Sequence, residues 1–395
     1  MIANKTPTRI NPILKARTKS QVAYIEASEV LQETMVAAIL GEKEKVVEKA
    51  TFHLNRSRKY HFNKIALGLA GFLQAYYYNE AHDKVKGNKY LKIRRKYHEL
   101  TFIEDLIDTK YWELSYKLNS SRNPSNELIN ELRDTCSNFS KYLKLESSPI
   151  KIRIYVLLIN LAYLDQDYEK ISKLCWEVIN WLEDKEFAFF AGFYNYLVPA
   201  LIVQNKYLEA KQAILKALNN VNKNSNNWSI FTYFHFILEI HNQNYQEAYK
   251  IFQAANQRQT INRFLREQWL IVRGYIKFLQ RQNQIDATDQ FKLDKLFKNL
   301  PLSSSDKEGN NINIIILSIL LNLKRNRGQI IDKIEAIKKY LQRYLKGNPR
   351  ARIFIKMLLT LPKYNFIAEV IEFRNQDLWK QLQKNSIKVV GMSEV

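Results

Sequence analysis

Apolar residues recur along nearly the whole chain at intervals of three and four, the periodicity of helices packed along one face. Breakers interrupt the pattern in small clusters at Gly41, Lys86-Gly87-Asn88, 120–125, Ser147-Ser148-Pro149, 219–227, 301–311, Gly328, Gly347-Asn348-Pro349 and Pro362. The segments between them predict roughly fifteen helices and no strand. Ser125 is placed to cap a helix over 126–145, and Ser20 to open one over 21–40. Ile312-Asn313-Ile314-Ile315-Ile316-Leu317 is β-branched enough for a strand, but it continues at helical spacing through Leu323 and is read as helix.

The middle third repeats. Asp167-Tyr168-Glu169-Lys170-Ile171, Lys206-Tyr207-Leu208-Glu209-Ala210 and Asn244-Tyr245-Gln246-Glu247-Ala248 share one pattern, with tyrosines 39 and then 38 residues apart. Apolar helices over 150–164, 187–204 and 228–242 precede the tyrosines. Amphipathic helices over 168–182, 207–221 and 245–256 follow them. Each unit therefore predicts a helical hairpin. A fourth first helix is expected over 261–282, but its partner over 289–300 lacks the tyrosine.

These residues resemble the tetratricopeptide-repeat (TPR) family, whose second helix opens with an aromatic, an acid and a small residue, followed by a bulky and another small one. Tyr207, Glu209, Ala210, Ile214 and Ala217 fit, as do Tyr245, Glu247, Ala248, Phe252 and Ala255. In the first unit Ile171 and Val178 replace the alanines. Ile159, Val198 and Phe236 stand where the family places glycine, the closing proline is missing, and the period exceeds 34. The chain is thus TPR-like over about 110 residues. The resemblance implies a right-handed α-solenoid of antiparallel helical hairpins, whose first helices would line a concave peptide groove. The stretches 187–199 and 228–238 are apolar nearly all round, and such helices are buried. The groove is therefore expected to be self-filled or occupied by another element or a partner.

Organisation follows: a basic extended arm at 1–19, a helical region at 20–149, the TPR-like array at 150–300 and a basic helical region at 310–395. The apolar runs 65–78 and 312–323 fall short of the roughly 20 residues of a membrane span. The first residues lack the apolar core of a secretory signal. Two cysteines, Cys136 and Cys175, exclude a disulfide framework and read as free thiols, so a cytoplasmic protein without a membrane span is expected. Ten glycines in 395 residues disfavour glycine-loop nucleotide enzymes.

Charge changes the picture most. The net is +22, with 21 basic against 13 acidic residues over 1–120 and 25 against 12 over 261–395, so the surplus lies at the two ends. Lys84, Lys86, Lys89, Lys92, Arg94, Arg95 and Lys96 fall in an acid-free run that also holds Tyr90 and Tyr97. A second acid-free stretch, 49–79, holds Arg56, Arg58, Lys59 and Lys64. Residues 322–356 carry eleven basic and two acidic side chains, among them Arg325, Arg327, Arg350 and Arg352. Cations with interleaved aromatics suit phosphate neutralisation with base stacking, and equally an acidic protein partner or an anionic membrane surface.

Catalytic chemistry is thinly represented. The six histidines are scattered, without the helical spacing of a zinc site, and no cofactor is implied. Arg56-Ser57-Arg58-Lys59-Tyr60-His61 resembles the Arg-x4-His signature of HEPN ribonucleases, where the histidine moves a proton and the arginine stabilises phosphate charge. The leading expectation is a non-enzymatic scaffold whose basic ends dock an acidic protein partner. A nucleic-acid-binding repeat protein using 84–96 and 322–356 is the alternative, and a HEPN-like ribonuclease the remote one.

Overall fold

The computed structural model describes residues 19–120, 124–184, 190–223, 225–256, 263–286, 310–322, 327–344, 349–367, 370 and 374–384. Among these the protein is all-α, with 16 α-helices and no strand. Contacts divide the chain into two units, Met1–Phe193 and Tyr194–Val395.

The first unit opens with α1 (Lys19–Leu40), α2 (Val47–Lys59), α3 (Asn63–Asn79) and α4 (Lys84–Ser120). It continues with α5 (Asn126–Ser140), α6 (Ser148–Leu164) and α7 (Tyr168–Asp184). Consecutive helices pack on one another, and α4 also packs on α6. The buried stripe of α1 is Ser20, Ala23, Ala27, Val30, Thr34 and Ala37. Its small side chains let α2 and α3 approach closely. Ser20 thus lies inside the helix rather than capping it.

Ser125 does cap α5, accepting from the Leu128 amide at 3.3 Å. Ser147 caps α6 in the same way and takes part in a buried polar junction. Its hydroxyl donates to Glu104 Oε1 at 2.7 Å, and Asn63 Nδ2 donates to the same carboxylate and, at 3.2 Å, to Ser147 Oγ. The starts of α3 and α6 are thereby pinned to the middle of α4. Burial pushes the Glu104 carboxyl above the usual range, although both hydrogen bonds oppose the shift.

The Lys86-Gly87-Asn88 cluster, expected as a break, lies inside α4, a single helix of 37 residues. Asp83 caps it, its Oδ1 accepting from the Lys86 amide at 2.9 Å, so the helix starts before the glycine. Gly87 is buried, and a Cβ there would stand 2.8 Å from the Tyr78 ring. The glycine serves a close helix crossing rather than a turn.

The second unit contains most of α8 (Ala191–Val203), then α9 (Tyr207–Asn220), α10 (Asn226–His241), α11 (Tyr245–Asn256) and α12 (Arg263–Arg281). It ends with α13 (Asn310–Asn322), α14 (Arg327–Tyr344), α15 (Pro349–Leu358) and α16 (Gln376–Lys384). The 312–323 run is helical as read, within α13. The partner helix expected over 289–300 and, apart from Lys19, the expected arm at 1–19 lie outside the described residues.

The repeat has a backbone signature. Gln166, Asn205 and Gln243 adopt the left-handed conformation, with φ of 57°, 58° and 60°. The amide after each donates to a carbonyl five residues back: Asp167 to Ala162, Lys206 to Leu201, Asn244 to Glu239, at 2.8–2.9 Å. Asn283 repeats the conformation at φ 55°, with Gln284 donating to Leu279 at 3.0 Å. The turn therefore recurs without the tyrosine 40 residues after Gln243, and the same turn also stands outside the repeat at His61 (φ 57°, Phe62 amide to Ser57, 2.8 Å) and Asn365 (φ 52°, Phe366 amide to Leu361, 2.9 Å). Ile159, Val198 and Phe236, together with Ile276 in the same register, are almost completely buried on the first helices. Ala210, Ala217, Ala248 and Ala255 are buried on the second helices, as are Ile171 and Val178.

Candidate interaction surface

The cationic run of 84–96 occupies the first third of α4. A helix of 3.6 residues per turn carries Lys84, Lys89, Lys92, Arg95 and Lys96 onto one arc, and all five are exposed. Among the described residues none of the five has an ion pair. Lys86 and Arg94 flank the buried seam and are engaged. Lys86 pairs with Asp83 at 3.5 Å and lies over the Tyr77 ring at 5.1 Å, and Arg94 donates to Gln74 at 3.1 Å. Five unneutralised cations thus lie along about 18 Å of helix.

The interleaved aromatics are buried, although Lys89 Nζ reaches over the Tyr90 ring at 5.6 Å. Tyr90 and Tyr97 are each 5 % exposed and belong to the core of the first unit. Tyr97 also receives a hydrogen bond from Arg58. The stacking role that the sequence assigned them is therefore closed to any ligand on the solvent face.

The acid-free stretch 49–79 behaves differently, because three of its cations find acids on other helices. Arg56 pairs with Glu26, Lys49 with Glu33 at 3.0 Å and Lys64 with Asp105 at 2.9 Å. Arg56 and His61 have separate partners: His61 lies in the turn after α2, 8 % exposed, with its ring stacked on Trp181 at 6.0 Å.

Of the second basic stretch, Arg325 and the Arg327 side chain lie outside the described residues. Arg350 is half-buried on α15 and donates to the Leu382 carbonyl of α16 at 2.7 Å. Arg352 is half-buried as well.

Sequence reading missed the apolar continuation of the α4 face. Val85, Phe102, Leu106 and Tyr116 are 82, 67, 45 and 76 % exposed. The signal was present in their spacing, since Val85 and Leu106 stand three heptads apart and Phe102 and Tyr116 two.

Two polar groups elsewhere carry chemistry of stability rather than of a reaction. Glu239 is buried on α10, bound by Lys211 Nζ at 2.7 Å and Asn244 Nδ2 at 2.8 Å, with His235 Nε2 3.4 Å away. Burial alone would raise its carboxyl, but these donors outweigh it and hold the group below the usual range. Both cysteines are buried. Among the described residues no cluster of three His, Cys, Asp or Glu side chains is placed to hold a metal, and no helix is long and apolar enough to cross a membrane. Set beside protein-family models, curated proteins and solved structures, the chain matches none of them.

Proposed function

We propose that this chain is a non-enzymatic interaction scaffold, a right-handed TPR-like α-solenoid of antiparallel helical hairpins that docks an acidic protein partner on the outer face of α4. The spacing of 38–40 residues between the turns at 166, 205, 243 and 283, rather than the turn itself, supports the repeat reading. The docking reading rests on one observation: five exposed cations on one helix face with no ion pair. Like charges three and four residues apart on a helix repel, and an anionic partner relieves that repulsion while gaining in attraction and encounter rate. Repeat arrays also present long continuous surfaces. The burial of Tyr90 and Tyr97 favours a protein over single-stranded nucleic acid, whose binding draws on exposed stacking rings.

Affinity capture on the full-length chain, with and without nuclease, tests this. A protein retained after nuclease, lost above about 0.3 M salt, and lost with Lys92→Glu/Lys96→Glu bait is the expected result. Capture abolished by nuclease replaces the reading with nucleic-acid binding.

A further inference from the structure

The solvent face of α4 has the geometry of one half of a coiled coil. Val85, Lys92, Glu99, Leu106 and Glu113 form one row at seven-residue intervals. Asn88, Arg95, Phe102, Thr109 and Tyr116 form the adjacent row. Every member of both rows is exposed, and together they extend about 46 Å along the helix. Alternating steps of three and four residues are what a partner helix needs to seat its side chains between those of α4. The two ends of the face differ in chemistry. The amino-terminal part offers Lys84, Lys89, Lys92, Arg95 and Lys96, and the carboxyl-terminal part offers Phe102, Leu106 and Tyr116.

A second copy of this chain is a poor occupant. Laid antiparallel, it would bring the carboxyl-terminal part of its α4 against the cations, but those acids are already engaged. Glu113 bridges Lys110 and Lys117 at 3.0 and 2.6 Å, Asp105 holds Lys64, and Asp108 holds Arg153 at 2.6 Å. Glu104 is buried against Asn63 and Ser147. That leaves Glu99 to face the partner's five cations. Laid parallel, the second copy would set cations against cations.

We infer that the α4 face takes an amphipathic acidic helix from a different protein. Its carboxylates would lie along Lys84–Lys96, and its apolar residues, at heptad spacing, would cover Phe102, Leu106 and Tyr116. This rests on the acidic-partner reading and specifies it: the partner segment is helical, with an apolar face and an acidic flank.

The test uses the full chain and two synthetic peptides of about three heptads. One carries leucine at the seam positions and glutamate at the flanks; the other has the same composition scrambled so that no apolar face forms. The ordered peptide is expected to bind at least about tenfold more tightly. Phe102→Ser/Leu106→Ser should erase that advantage and leave the scrambled peptide unaffected, whereas Lys92→Glu/Lys96→Glu should weaken both. All four positions are exposed, so thermal unfolding and circular dichroism should match the parent chain. Equal binding of the two peptides, still weakened by Lys92→Glu/Lys96→Glu, overturns this inference while the acidic-docking reading stands. Binding that ignores Lys92→Glu/Lys96→Glu sinks both. Self-association abolished by Phe102→Ser/Leu106→Ser, or an oligonucleotide that displaces the ordered peptide at matched charge, also overturns the inference.

Discussion

Tyr77 and Tyr90 lie face to face, with ring centroids 5.4 Å apart and planes within 8° of parallel. The contact joins the end of α3 to the start of α4, with Lys86 over the outer face of Tyr77. It explains how a helix so rich in cations stays docked: its aromatics hold it inward while its charges point outward. Tyr90→Ala should cost about 3–5 kcal/mol in urea denaturation, by the cavity it leaves. Lys92→Ala, exposed on the same helix, should change stability by less than about 0.5 kcal/mol. Similar losses from the two substitutions would contradict the inward and outward assignment.

The two buried carboxylates predict pH dependences of opposite sign. Glu104 has its native pKa raised by burial, so the stability it contributes is fully present below its unfolded pKa and is lost as pH rises through the raised value. Glu104→Gln should therefore gain stability relative to the parent chain as pH climbs above the ordinary carboxyl range. Glu239 has its native pKa lowered: burial raises it, but Lys211, Asn244 and His235 prevail. Its contribution is present above the ordinary carboxyl pKa and is lost as pH falls through the lowered one. Glu239→Gln should thus be weaker than the parent at neutral pH and converge with it in acid. Denaturation midpoints across pH 3–8 for the three chains supply the check, and parallel profiles would refute both assignments.

The left-handed residues make a backbone prediction. A residue branched at Cβ is strained at positive φ, by about 1–2 kcal/mol, whereas glycine is at ease there. Gln243→Val should destabilise by that amount and Gln243→Gly should be neutral or stabilising. The same substitutions at Gln253, exposed in the interior of α11, should reverse in order, because glycine costs roughly 1 kcal/mol in a helix interior. Thermal melts of the four variants decide it.

Both thiols should be inert in the folded protein. Burial pushes the Cys136 thiol up to about 11, and Cys175 is pushed up further by deeper burial. Alkylation near pH 8 should be about a hundredfold slower than in urea, through loss of thiolate alone. Rapid labelling of the folded chain at Cys175 would mean that α7 opens readily.

The helix pairs of the middle third were legible because each second helix starts at Tyr168, Tyr207 or Tyr245, and the observed helices begin at those residues. The fourth turn, expected after a first helix ending at 282, lacks the tyrosine because Asn283 reproduces a conformation and not a side-chain pattern. The length of α4 was misread because Gly87 has two structural uses, turn and close crossing, which composition alone cannot separate. The burial of Tyr90 and Tyr97 was legible in principle: with Ile93, Leu100 and Ile107 they form an apolar stripe at helical spacing. The charges around them drew the reading away. The pairing of Lys49, Arg56 and Lys64 was not legible, since the acids come from Glu33, Glu26 and Asp105, distant in sequence.

The turns at 166, 205, 243 and 283 bear on how such a chain can evolve. A single left-handed residue and one amide-to-carbonyl bond across five residues close each turn. Gln and Asn both serve, so side-chain identity is loosely constrained while loop length is not. One residue inserted into such a turn would break the bond and rotate the next helix by about 100° about its axis, carrying its apolar face away from its neighbour. Descendants of this architecture should therefore drift freely in letters and hardly at all in spacing.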